Sequence, residues 1–242
     1  MAVEQPHEGS RASAAAQRRP PGRRIVDLSH PIEAGMTTYP GLPGPDICEH
    51  LSRASSRSHY AGGTEFAIHR VTMVGNTGTY LDSPFHRYPG GADLAGLSLD
   101  GLVDLPAVVV HLSDAPRPGI DAPSLVPFEV AGCAVLLQTG WDRHWRTDAY
   151  GAPDAPFLTE GGAAWLVAHG ARLVGIDSVN IDDVADLRRP AHSTLLAAGV
   201  PIVEHLTNLD ALPAGGARFH AAPPAFRGLS TIAVRAYAIL PD

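Results

Sequence analysis

The chain has 242 residues, 45% of them hydrophobic, with a mean hydropathy of +0.00 and a formal charge of −7. That is enough for a sizeable core in one large domain or two small ones, and the 25 glycines and 22 prolines argue for many turns and short strands rather than a helical bundle. The acidic balance excludes a general nucleic-acid surface. Two cysteines without a Cys-x-x-Cys pattern exclude a disulfide framework, and no stretch nears the roughly 18 apolar residues of a membrane helix, so a cytoplasmic protein is expected.

Residues 1–23, rich in Ala, Arg, Pro and Ser without periodicity, read as a disordered basic tail, and 24–242 as a single domain. Arg18-Arg19 is followed by Pro-Pro-Gly-Arg-Arg instead of an apolar run, so a twin-arginine leader is not expected. A short strand over 24–28 ends at Ser29-His30-Pro31, where His30 either faces a pocket or bonds a loop. Residues 43–63 are polar and irregular, a loop over a site. A strand over 65–73, with Phe66 and Ile68 alternating, leads into 74–90, V-G-N-T-G-T-Y-L-D-S-P-F-H-R-Y-P-G. Here Asn76, Tyr80, Asp82 and His86 fall within eleven residues, and Gly78 and Pro84 hold the backbone in a turn.

Buried strands are expected over 107–111 and 134–139. Thr159 caps a helix over 160–169 that Gly170 stops. Next come a strand at 173–176, a short helix over 193–198 opened by His192 and stopped by Gly199, and a strand over 201–204 ending in Glu204. A last strand over 231–240 alternates Ile232, Val234, Ala236 and Ala238 with a solvent-facing Arg235. Many short strands with two helices give an α/β or α+β domain on local evidence.

The span 76–86, Asn76-Thr77-Gly78-Thr79-Tyr80-Leu81-Asp82-Ser83-Pro84-Phe85-His86, resembles the motif His-x-Gly-Thr-His-x-Asp-x-Pro-x-His of the cyclase family, which includes bacterial kynurenine formamidases and isatin hydrolases. Asp27-Leu28-Ser29-His30-Pro31, Gly175-Ile176-Asp177, His192 and Glu204 extend the resemblance to most of the chain. It implies an α/β architecture, the swivelling β/β/α fold, and a homodimer with pocket residues near the interface. In the family the first two motif histidines and the aspartate bind a divalent metal, commonly zinc or manganese. The third motif histidine, with a later His and Glu, holds a second metal or handles protons. By this correspondence Asp82, His86, His192 and Glu204 are kept, while Asn76 and Tyr80 stand at the first two histidine positions.

An amide oxygen is a weak ligand, and a phenol must lose a proton near pH 10 before it ligates well, so the first metal site is abolished. The remaining two histidines and two carboxylates suffice for one zinc or manganese with a water. They also suffice for metal-free acid–base chemistry, with His86 as base, Glu204 or Asp82 orienting it and Tyr80 donating a hydrogen bond. The leading expectation is a metal-dependent hydrolase of an amide, lactam or ester of a small, aromatic substrate, with Asn76, His30 and Arg87 as binding residues. Its rivals are a metal-independent cyclase, dehydratase or isomerase, and a non-catalytic binding homologue.

Overall fold

The computed structural model describes residues 23–113 and 118–241, so the tail expected over 1–23 lies, Arg23 apart, outside the described residues. The strands of the main sheet and of a separate ribbon are β1 (Ile25–Asp27), β2 (Asp46–Leu51), β3 (Ile68–Thr72), β4 (Tyr80–Asp82), β5 (Leu105–His111), β6 (Ala134–Gln138), β7 (Leu173–Ile176), β8 (Ile202–Glu204), β9 (Arg218–His220), β10 (Thr231–Ala233) and β11 (Tyr237–Ile239). Nine of them form one sheet in the order β1-β11-β9-β5-β6-β7-β8-β4-β10. The central four, β5 to β8, are parallel, and the pairs outside them are antiparallel.

Neighbouring residues of the parallel strands enter different cores. Val109, Leu136 and Val203 join one cluster with Leu28, Leu81 and Phe219, whereas Val110, Val135, Leu137 and Ile202 join a second with Leu166, Leu195 and Leu196. Burial on both faces explains why these strands read as unbroken apolar runs. Truncating a fully buried leucine such as Leu136 to alanine costs about 2–5 kcal/mol.

The helices α1 (Glu160–Ala168) and α2 (Pro190–Ala197) supply Leu166, Leu195 and Leu196 to the second core. Thr159 caps α1 through its side chain, which accepts from the Gly162 N–H, as expected. The second helix starts earlier than expected: Pro190 occupies its first turn, where a missing N–H costs nothing, and His192 therefore sits inside it.

The strand expected over 231–240 is broken. Its halves β10 and β11 lie at opposite ends of the sheet order, next to β4 and to β1 and β9. The link of three residues between them spans at most about 14 Å, so the sheet must curl until its ends approach. Two further features were not expected. Residues 43–63 contain β2, and β2 pairs with β3 as a separate two-stranded ribbon. Ile68–Thr72 is exposed throughout, so the strand leading into the site is not a core strand.

Candidate active site

The curl brings β4 between β8 and β10, at the carboxyl end of β8. Antiparallel register sets Tyr80 opposite Glu204 on one side and Asp82 opposite Thr231 on the other. The turn ahead of β4 depends on two glycines. Gly78 holds φ +66° and donates its N–H to Thr38 Oγ1 at 2.8 Å, and a Cβ on Gly75 would stand 2.1 Å from the Thr231 carbonyl oxygen. After Asp82 the chain turns through Pro84–His86, which returns His86 toward its own strand.

Asp82 is fully buried. Its Oδ1 accepts from the Thr231 hydroxyl, which also lies 2.9 Å from His86 Nδ1, while its Oδ2 has no hydrogen-bond partner. That orphaned oxygen stands 3.6 Å from His192 Nε2. The other nitrogen, Nδ1, lies 2.6 Å from Asp182 Oδ2, and Asp182 also accepts the N–H groups of Ala191 and His192. Asp182 thus caps the first turn of α2 and aims Nε2 of His192 at Asp82. Burial opposes the charge on His192, but its hydrogen bond with Asp182 and the nearby Asp82 and Glu204 carboxylates hold its pKa up, to about 10. Burial likewise opposes ionisation of Asp82, yet the nearby His192 and His86 imidazoles keep it below the usual carboxylate range.

Glu204 is buried beside them, its Oε1 3.8 Å from His192 Nε2. Oε2 accepts from the Tyr80 hydroxyl at 2.6 Å and Oε1 from the Ile181 N–H. Burial pushes Glu204 up to about 7; His192 opposes this and the Asp82 charge adds to it. Tyr80 is pushed well above 10, first by burial and then by the Glu204 and Asp82 charges, so it remains a neutral donor. His205 continues the network, with Nε2 3.3 Å from Tyr80 Oη and Nδ1 2.8 Å from Tyr150 Oη.

These residues suit a single divalent metal. One ligand atom each from Asp82, His86 and His192 lies within 4.8 Å of the others. Two ligands of a tetrahedral zinc stand about 3.3 Å apart, close to the Asp82–His192 separation. The Asp182–His192 pair is the carboxylate support that metal-bound histidines commonly have. An ion at Nε2 would displace the proton that His192 otherwise carries.

Of the residues singled out in the sequence, Asp82, His86, His192, Glu204 and Tyr80 converge. Asn76, Tyr80, His86, Arg87, His192 and Glu204 line one cavity of about 430 Å³. His30 does not line it. It stacks on Trp145, with ring centroids 4.0 Å apart and Nε2 buried without a partner. Asp182, Thr231, Asn180 and Arg189 were not anticipated. The run Asn180-Ile181-Asp182-Asp183 after an apolar strand was a signal for Asp182, but nothing local distinguishes its carboxylate from that of Asp183.

A curled mixed sheet with buried carboxylates and imidazoles at the end of its parallel strands makes a metal or acid–base centre on an α/β scaffold. The chain belongs to the cyclase family, whose model, described as a putative cyclase, matches residues 26–183. The kynurenine formamidase of Bacillus cytotoxicus is 30% identical over 216 residues, 87% of this chain and 95% of the relative. That of Geobacillus thermodenitrificans is 29% identical, over 82% of this chain and 88% of the relative. Isatin hydrolase A from Labrenzia aggregata, solved with benzyl benzoate bound, superposes with a TM-score of 0.76 at 23% identity, covering 91% of this chain and 94% of its own. A structure described as a potential metal-dependent hydrolase with cyclase activity gives 0.74 at 26% identity, over 91% and 99%. The α/β cyclase-family fold expected from the motif is borne out.

Proposed function

We propose that this chain is a metal-dependent hydrolase that opens an amide, lactam or ester bond of a small aromatic metabolite. The observation that carries this is the buried, unpartnered Asp82 Oδ2 facing His192 Nε2 in the Asp82–His86–His192 cluster. The kynurenine formamidase relatives, matched over most of both chains, support the bond type. The three cluster residues would hold one zinc or manganese. Tyr80 supplies no ligand to a first site, because its protonated hydroxyl is committed to Glu204. When bound, the metal supplies a Lewis acid for the carbonyl and an acidified water.

The chain's own groups then divide the remaining work. Glu204, with its pKa near 7, takes the proton of the attacking water around neutral pH, while Tyr80 and the Ile181 N–H hold its two oxygens in place. Asn76, at the cavity wall, orients the substrate carbonyl. Glu204 hands the same proton to the leaving group as the bond breaks, while His86, at the cavity wall, stays with the Asp82–His86–His192 cluster.

Metal-loaded protein should hydrolyse N-formylkynurenine or isatin and lose that activity on chelation. His86→Ala and Glu204→Gln should each abolish it, and the double variant should be little worse than either, since both act at one centre. Full turnover by metal-stripped protein would overturn the metal-dependent reading in favour of acid–base chemistry on His86.

The same reading includes a homodimer. The ribbon of β2 and β3 exposes Ile47, Ile68 and Val71, and a two-stranded ribbon bared on both faces is marginal alone. A second copy of the chain would cover it. Free Cys48 and Cys133 fit the reducing cytoplasm.

A further inference from the structure

Two arginines line the cavity, Arg87 and Arg189, and neither has a carboxylate partner among the described residues. Arg87 follows His86 directly. Its Nε donates to Ser193 Oγ at 3.3 Å, its Cζ lies 5.3 Å from the centre of the Tyr88 ring, and the Tyr88 hydroxyl donates to the Ser193 carbonyl. The stem is thereby held, and among the described residues neither terminal nitrogen has an acceptor. Arg189 donates one Nη1 hydrogen bond to the Asp183 carbonyl at 2.9 Å, a neutral acceptor. Its backbone sits at φ 51°, a left-handed conformation that glycine or asparagine would hold with less strain. An arginine at such a position points to a use for its side chain.

The rest of the lining defines what those cations would meet. Glu204 is the one carboxylate among the lining residues, and each of its oxygens already accepts a hydrogen bond. An incoming ammonium would find no free carboxylate and two guanidinium groups. Tyr39, Pro40 and Leu42 supply an apolar wall, and about 430 Å³ suits a molecule of one or two rings.

We propose that Arg87 and Arg189 clamp a carboxylate on the substrate, so that the preferred substrate is an aryl amide bearing a carboxylate without a neighbouring ammonium. The proposal rests on the hydrolase reading of this site and narrows it to one substrate class. A guanidinium fork matches a carboxylate bidentately and discriminates against neutral and zwitterionic analogues.

Three formamides test it on the metal-loaded protein: formanilide (neutral), 2-formamidobenzoate (anionic) and N-formylkynurenine (zwitterionic side chain). The parent should favour 2-formamidobenzoate over each of the others by about tenfold or more in kcat/KM, and Arg87→Met and Arg189→Met should each shrink that ratio by about tenfold. Raising the salt from about 0.05 to about 0.5 M should narrow it too, since the clamp lies at a solvated mouth. Binding of fluorescent 2-aminobenzoate, followed without turnover, should weaken by about tenfold in each variant. A parent ratio near one, or ratios and 2-aminobenzoate affinities unchanged in both variants, would overturn the clamp and leave the hydrolase reading standing. If none of the three amides is turned over, yet 2-aminobenzoate binds in an arginine-dependent way, the clamp stands and the hydrolase reading fails.

Discussion

Tyr80→Phe isolates the group that replaces a family histidine. The side chain is almost fully buried, and its hydroxyl donates to Glu204 Oε2 at 2.6 Å while lying 3.3 Å from His205 Nε2. Phenylalanine fills the same space, so no cavity term arises, and the change is confined to one hydrogen-bonding oxygen. Losing a bond to a charged acceptor costs about 1.5–3 kcal/mol. At pH 8, where Glu204 is largely ionised, urea unfolding should show that loss. For a chain of this size, it corresponds to a fall of about 3–12 °C in Tm. The Tyr80 hydrogen bond also lowers the Glu204 pKa against the effect of burial, so its removal should move the acidic limb of the pH–rate profile upward. Metal titration should weaken less than in a variant of Asp82, because Tyr80 acts on the carboxylate beside the cluster and touches no ligand atom. Stability within about 0.5 kcal/mol of the parent, together with an unmoved acidic limb, would refute the view that Tyr80 holds Glu204.

Elemental analysis of the purified protein should find at most one tightly held divalent metal per chain, and two would contradict the loss of the first site. Asp182→Asn should weaken that metal by about 10–100-fold in a chelator competition, since His192 loses the carboxylate that orients it; an unchanged affinity would deny Asp182 this role. Burial holds His205 down to about 3 and His30 to about 4, below the ordinary 6.5 or so, so between these values the unfolded chain binds more protons. Their contribution is full above about pH 6.5 and is lost as the pH falls toward 4 and then 3. Glu204, raised to about 7, and Asp177, raised to about 6, both by burial, oppose them as the pH falls through that window. Between about pH 6.5 and 4, lowering the pH should therefore cost the parent more in Tm than it costs His205→Gln, and parallel curves would exclude His205 as a source. Ile68→Arg with Val71→Arg should halve the mass seen by light scattering, whereas an unchanged mass would remove the ribbon from the interface.

The chemistry-bearing residues were legible because they lie close together in the chain or at the ends of recognisable elements. Asp82 and His86 are four residues apart on either side of Pro84, and Glu204 closes an apolar strand. The parallel strands and the α1 cap were legible for a similar reason: burial on both faces and a threonine before a helix leave local marks. Other features left no such mark. Whether the run from residue 231 to 240 is one strand or two depends on where its halves pair, and only curling of the sheet splits it at Val234–Ala236. Thr231 reaches Asp82 through cross-strand register over a separation of 149 residues, and Asp182 was chosen over Asp183 by the direction of a turn into α2. The sequence by itself determined which ionisable groups were available. The tertiary structure decided which of them were buried together, and burial, by raising Glu204 and Tyr80 and leaving one oxygen of Asp82 unpaired, is what turns those groups into a site.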